Sequence, residues 1–114
     1  MNIKISSLTK NEDFKSVLTG RKISNKYLTI FFKKLSDKNS KKLKLSIITK
    51  KKIGSAVQRN FIKRRIKSVI NEAIKRIKFN LNYSYLLIAR KSVYDDEYEN
   101  IKKTLMIDFG KIEK

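Results

Sequence analysis

The chain has 114 residues, of which 40% are hydrophobic, and it carries a formal net charge of +19. This length fits one domain, residues 1–114, with a single core, and the charge predicts a polyanionic partner: nucleic acid first, an anionic membrane surface second. The absence of cysteine and histidine excludes disulfides, thiolate zinc sites and histidine-based catalytic triads. No apolar run approaches the roughly 20 residues that span a bilayer, and no secretory signal is evident.

The chain begins with a stretch, residues 1–8, that predicts a loose N-terminal arm. A capping-box pattern at 9–12 then predicts a short first helix of about ten residues that ends near Gly20. Its apolar face carries Phe14, Val17 and Leu18. On spacing alone, Phe14 is either a core residue or a ligand contact.

Two strands are predicted next. Residues 26–35 are rich in β-branched and aromatic residues, and both sides of this strand are largely apolar. Either one aromatic side of this strand is therefore a partly open platform, or the strand is covered on both faces. After a polar turn at 37–40, alternating residues at 42–49 predict a half-buried strand that forms a hairpin with the first.

A long amphipathic helix is predicted to start near Ala56. Ser55 and Gln58 match a capping box after the turn residue Gly54. At 100° per residue the apolar side chains fall on one core-facing stripe, which consists of Ile62, Ile66, Val69, Ile70, Ala73 and Ile77. The opposite side is basic and polar and consists of Asn60, Arg64, Lys67, Asn71, Lys75 and Lys78.

This basic side is either an ordinary solvated surface or a binding surface. From Lys38 to Lys91 there are seventeen Lys or Arg residues and one acid, which favours binding. Lys63 lies between the two sides, and Arg59 projects over the apolar stripe at the first turn. Phe61 lies near the basic side and is either an isolated surface aromatic or a stacking surface.

The C-terminal part predicts a central strand at 83–89 and a last helix that begins with the acids of 95–99. These acids could instead hold magnesium, but their position at a helix N-terminus explains them more simply. The predicted order is α-β-β-α-β-α with room for an extra short strand. It indicates an α+β fold, a two-layer α-β sandwich of three helices on a mixed sheet of about four strands. No residue is singled out as catalytic.

The stretch at 51–66 closely resembles the family of bacterial ribonuclease P protein subunits. The shared pattern is Lys51–Lys52, Gly54, Ala56–Val57, Arg59–Asn60 and Lys63–Arg64. The resemblance extends over nearly the whole chain, through residues 8–20 and 88–91.

This resemblance implies a left-handed β-α-β crossover and a subunit that does no catalysis itself. In the family, an RNA cleaves precursor tRNA at the mature 5′ end with magnesium that is held mainly by RNA. The implied partners are therefore the ribonuclease P RNA, as the catalytic cofactor, and precursor tRNA, with no membrane and no obligate protein partner, in the cytoplasm. The implied contacts to the catalytic RNA are Lys51, Lys52, Arg59, Asn60, Lys63, Arg64 and Lys67. The implied cleft for the single-stranded 5′ leader contains Phe14, Phe31 and Arg90.

Three positions depart from the family pattern. Phe61 stands where a second arginine is frequent, so a phosphate contact is either lost or replaced by stacking. Arg65 occupies a position that is often apolar, and Leu18 one that is often aromatic. A ribosomal-type structural RNA-binding protein is the main alternative, and a membrane-surface binder is the third.

Overall fold

The computed structural model describes residues 4–6, 11–34, 42–77 and 83–112. The strands are β1 (Lys4–Ser6), β2 (Arg21–Ser24), β3 (Leu28–Lys34), β4 (Lys42–Ile48) and β5 (Tyr83–Ala89). The helices are α1 (Asn11–Leu18), α2 (Ala56–Arg76), α3 (Ser92–Asp95) and α4 (Tyr98–Ile112). A single 3₁₀ turn, Lys51–Ile53, precedes α2.

The described strands form one mixed sheet in the order β1-β4-β5-β3-β2. β5 is parallel to β4 and antiparallel to β3, and α2 makes the crossover between the two parallel strands. The α+β fold and the mixed sheet are therefore confirmed, while the left-handed sense of the crossover rests on the resemblance. The predicted hairpin between β3 and β4 is wrong. β5 lies between them because its continuous apolar run is suited to a strand with a neighbour on each side.

The sheet has five strands in the described residues, against an expectation of about four, because two short edge strands escape the sequence pattern. β2 contains one apolar residue, Ile23, and is a strand because it pairs with β3 across a turn at Asn25. The Asn25 side-chain oxygen accepts hydrogen bonds from the backbone N–H groups of Tyr27 (2.8 Å) and Leu28 (2.9 Å). β1 lies within the stretch expected to be a loose arm. It pairs in parallel with β4 and forms one edge of the sheet.

The main core lies between one face of the sheet and the helices α2 and α4. The α2 stripe is confirmed: five of its six residues are buried, and Ile77 is half-buried at the end of the helix. The sheet contributes the inward side chains Leu28, Ile30, Phe32, Leu45, Tyr85, Leu87 and Ala89. Burying one such side chain stabilises the fold by about 1.5–3 kcal/mol, so this core fixes α2 firmly against the sheet.

The other face of the sheet is only partly covered, by α1. Val17 and Leu86 form a second small cluster, against which Phe31 and Ile48 pack. The expectation that Leu18 shares the buried face is wrong: its side chain is 46% exposed, because this short helix meets the sheet along one narrow side. No other described helix covers the remaining area of this face.

Gly20, two residues after the end of α1, is required for a reason other than left-handed geometry. No glycine in the described ranges has a positive φ angle. A Cβ atom at Gly20 would instead lie 2.6 Å from the backbone oxygen of Phe32. The missing side chain therefore lets the end of α1 approach β3 closely.

The capping box of α2 is confirmed. Ser55 Oγ accepts a hydrogen bond from the Gln58 N–H at 3.2 Å, and Gln58 Oε1 accepts one from the Ser55 N–H at 2.9 Å. Gly54 is extended, and a Cβ atom there would collide with the Gln58 side-chain oxygen. The glycine thus makes room for the cap.

The prediction that one last helix begins with the acids at 95–99 is wrong, because two helices share this region. A one-turn helix, α3, ends at Asp95, and α4 begins at Tyr98. Between them Asp96 Oδ1 accepts hydrogen bonds from the Glu97 N–H (2.7 Å) and from Asn100 Nδ2 (3.1 Å), so this carboxylate turns the chain into α4. In the described part of the chain, no three or more acids are grouped as a metal site, and no helix is long and apolar enough to cross a membrane.

Candidate nucleic-acid interface

A groove of about 530 Å³ lies on the open face of the sheet, where β4 and β5 end. We call it the sheet groove. Its charged lining residues are Lys22, Lys50, Lys52, Arg90 and Lys91. Its other lining residues are Ser24, Thr29, Phe31, Ile53, Ile88 and Ala89. The groove therefore combines an apolar floor with a cationic rim.

The electrostatics of the sheet groove favour an anionic ligand. Of the described residues that line it, five are cations and none is an acid. Among the described residues the ion pairs are Lys26–Asp96, Lys102–Glu72 and Lys111–Asp108, so none involves a groove cation. Because no carboxylate among these described residues neutralises the groove charges, an external anion can do so.

Two of the three residues expected in a leader cleft lie together in this groove. Phe31 is half-buried, with one part against the Val17–Leu86 cluster, so the aromatic platform is partly open. The Arg90 guanidinium donates from Nη2 to Thr29 Oγ1 at 3.4 Å, which directs it across the groove. Phe14 lies on α1, and its side chain lies outside the described part of the structure.

Arg90 is held in place through its backbone. Its N–H donates to the carbonyl oxygen of Tyr27 at 2.8 Å. The Tyr27 hydroxyl donates to Asp96 Oδ2 at 2.5 Å. This hydrogen bond, together with burial, raises the pKa of Tyr27 to about 12, and it is the main reason that the pKa of Asp96 lies well below its usual range. The pair ties the start of β3 to the start of α4, and the backbone bond from Arg90 adds the end of β5 to this connection.

The predicted contacts to catalytic RNA form a second cationic surface along α2. Asn60, Lys63, Arg64 and Lys67 are exposed on this helix, and Lys51 and Lys52 are exposed on the preceding 3₁₀ turn. Arg59 is half-buried, and its Nε atom is buried without a hydrogen-bond partner among the described residues. Of the other residues predicted on the polar side, Asn71 and Lys75 are exposed, and Lys78 lies outside the described residues.

The two predicted sets of site residues meet at the 3₁₀ turn. Lys52 belongs to the predicted RNA-contacting set, yet it lines the sheet groove with Arg90. The turn connects β4 to α2, so its exposed cations Lys51 and Lys52 stand between the groove residue Lys50 and the start of α2 in the chain.

Sequence reasoning left out three groove cations. Lys22 lies on β2, a strand that has no clear apolar pattern. Lys50 and Lys91 belong to neither predicted set of site residues. Each of the last two directly neighbours a predicted site residue in the chain, and this adjacency was the available signal.

Phe61 does not stand alone at the surface. The Arg65 guanidinium carbon lies 4.6 Å from the centre of its ring, and Tyr94 meets it edge-on with ring centres 5.4 Å apart. Arg65 Nη1 also donates to the carbonyl oxygens of Val93 (3.2 Å) and Asp96. The two departures at 61 and 65 are therefore one structural unit, since these residues are four apart on one helix.

Comparison with known proteins identifies the family. Residues 4–113 match the family model for ribonuclease P. The chain is 37% identical over 103 residues to the ribonuclease P protein component of Carboxydothermus hydrogenoformans, covering 87% of this chain and 84% of that one. It is 37% identical over 109 residues to the component from Bacillus pumilus, covering 95% and 88%.

The fold comparison agrees. The structure of Staphylococcus aureus RNase P protein superposes with a TM-score of 0.73 at 27% identity and covers 95% of this chain and 94% of that one. RNase P protein from Thermotoga maritima, at 22% identity, shares the fold with a TM-score of 0.72, covering 93% and 96%. Nearly the full length of both chains is matched in sequence and in fold, and the chain therefore belongs to the ribonuclease P protein family.

Proposed function

We propose that this chain binds the ribonuclease P RNA through α2 and the 5′ leader of precursor tRNA through the sheet groove. In this role it promotes removal of the leader by the catalytic RNA. The observation that carries the proposal is the set of exposed cations in the sheet groove, on the 3₁₀ turn and along α2, none of which forms an ion pair with a described carboxylate. Family membership supports ribonuclease P as the setting.

The exposed cations of α2 suit the folded catalytic RNA. Lys63, Arg64 and Lys67 present charge on a helix that the core holds rigidly. Lys and Arg contacts to phosphate supply position and salt-dependent affinity without reading sequence. Asn60 adds a neutral hydrogen-bonding group beside them. Because the core already fixes the backbone of α2, binding has to order only the side chains of this row.

The sheet groove suits a single strand. Its cations can follow a phosphate backbone, while the partly open Phe31 ring offers a stacking surface. Stacking on an aromatic ring is worth roughly 1–3 kcal/mol per base and accepts any base. Tolerance of this kind is what a protein needs if it must accept many different leader sequences.

We assign no catalytic role to the protein side chains. The chain has no histidine to act as a general base near neutral pH. Two half-buried or buried carboxylates, Asp96 and Asp108, are engaged in internal hydrogen bonds with Tyr27 and Asn25. In the proposed holoenzyme the RNA carries out the cleavage and holds most of the magnesium, and the protein lowers the repulsion between two polyanions.

Reconstitution tests this function directly. The chain, its cognate ribonuclease P RNA and a precursor tRNA are combined at limiting magnesium. The chain should lower the magnesium concentration required for cleavage, and it should strengthen binding of precursor tRNA relative to mature tRNA. Equal affinity for the two tRNAs would refute the leader role. Cleavage that is unaffected by the chain, with co-sedimentation on ribosomes, would favour the ribosomal alternative.

A further inference from the structure

We propose that Phe61, Arg65 and Tyr94 form a binding site for one unpaired nucleobase of the ribonuclease P RNA. We call this site the aromatic corner. The inference rests on the proposed function, because it takes the catalytic RNA as the ligand of α2. It goes further by giving an uncharged part of that RNA a defined site.

The geometry of the two rings fits a flat base. Phe61 and Tyr94 are each 38% exposed. Their planes meet at 70°, with ring centres 5.4 Å apart, so they form an open corner. A base that stacks on one ring would meet the edge or face of the other, and aromatic groups favour both arrangements.

Arg65 fixes this corner from one side. Its guanidinium covers part of the Phe61 ring at 4.6 Å and is anchored by the carbonyl oxygens of Val93 and Asp96. The anchoring gives Phe61 a defined position before any ligand arrives. Packing between α2 and α3 explains these contacts, but it does not explain why both rings keep over a third of their surface in water. Val57, one turn earlier on α2, is 78% exposed and extends the apolar area.

The surrounding charges select a nucleobase as the occupant. On the α2 side, Arg64 is exposed one turn from Phe61 and can hold a phosphate. On the α3 side, the exposed acids Asp95 and Glu97 repel phosphate but not an uncharged base. The fitting ligand therefore has its backbone toward Arg64 and its base turned into the corner. An anionic membrane would be repelled on the α3 side.

Binding of the cognate RNA transcript by purified variants tests the site. Phe61→Leu and Tyr94→Leu keep apolar volume but remove the ring face. Each should weaken RNA binding about tenfold without changing the salt slope, because no charge is lost. Phe61→Trp should restore the affinity that Phe61→Leu loses. The matched control is Ile107→Ala, which alters an apolar residue on α4 that is 52% exposed.

Chemical probing of the RNA bases gives a second readout that does not depend on affinity. One unpaired base should be protected by the wild-type chain and become reactive again with Phe61→Leu. The inference is overturned if Phe61→Leu binds within twofold of wild type, or if no base changes its reactivity. A loss of affinity in the Ile107→Ala control would equally overturn it. Failure of the proposed function looks different, since the wild-type chain itself would then not bind the RNA.

Discussion

Neutralising Arg90 in the sheet groove should weaken the leader-dependent part of tRNA binding and reduce its dependence on salt. For single-stranded nucleic acid, each neutralised phosphate contributes about −0.7 to the slope of log affinity against log salt concentration. If all five groove cations were engaged, the leader contribution to the slope would be at most about −3.5. That corresponds to about a 100-fold loss of leader-dependent affinity between about 50 and 200 mM salt.

The variant Arg90→Gln keeps a polar side chain but removes one of these charges. Its slope should be smaller in magnitude by about 0.7. Over the same salt range, the factor by which affinity falls should therefore be about 2.5 times smaller for the variant than for wild type. The hydrogen bond from the Arg90 N–H to Tyr27 involves only the backbone and should persist. The substitution should therefore leave the fold intact.

The assay measures affinity of the reconstituted holoenzyme for precursor and for mature tRNA at several salt concentrations and constant magnesium. The slope of log affinity against log salt concentration is obtained for each tRNA. Subtracting the slope for mature tRNA from the slope for precursor tRNA isolates the contribution of the leader. Lys103→Gln, which removes an exposed charge on α4, is the matched control and should not change the difference. If the precursor-to-mature ratio is independent of salt, or if both variants change it equally, the assignment of the leader to this groove is wrong.

Three further predictions follow from other parts of the structure. Arg64→Ala should weaken RNA binding and lower the salt slope by about one unit; an unchanged slope in a salt titration would remove Arg64 from the interface. Tyr27 has a pKa raised to about 12 by Asp96, against about 10 in an unfolded chain, so the phenol contributes stability that is present below about pH 10 and is lost as pH rises toward 12. Denaturation at alkaline pH should show this loss in the wild-type chain and not in Tyr27→Phe, and identical profiles would contradict it. Ser55→Ala removes the acceptor for the Gln58 N–H and should lower the free energy of unfolding by about 1 kcal/mol in urea titrations, whereas no change would mean that the cap is dispensable.

Local features of this chain were predictable from sequence. The start of α2 depends on Ser55 and Gln58, which are three residues apart, and its buried side depends on spacings of three and four. Both signals lie within one helix and need no knowledge of the rest of the fold. The same holds for β5, whose apolar run is continuous.

Strand pairing was harder because it is decided by distant segments. The turn at 37–40 suggested that β3 and β4 are neighbours, but β5 competes for the same edges and offers two apolar faces. β2 has a weak pattern of its own and is defined by its partner β3. Charged and polar residues at an edge strand are common, and they hide the strand from pattern analysis.

The candidate site was predictable where the family motif covers it and not elsewhere. The motif marks the cations of α2, and the match at the end of β5 marks Arg90. Lys22 joins the sheet groove only because β2 pairs with β3. Arg65 is anchored by backbone carbonyl oxygens, which every residue has, so no residue type in the sequence indicates its partners.

The central position of β5 has a consequence for synthesis on the ribosome. β5 is the last described strand to be translated, yet both β3 and β4 depend on it for a hydrogen-bonded partner. Until Tyr83–Ala89 emerges, the nascent chain has two open strand edges and an incomplete core, so the sheet cannot form completely before this strand has been translated. Products of premature termination before β5 should consequently aggregate or be degraded, even though they already contain the whole of α2.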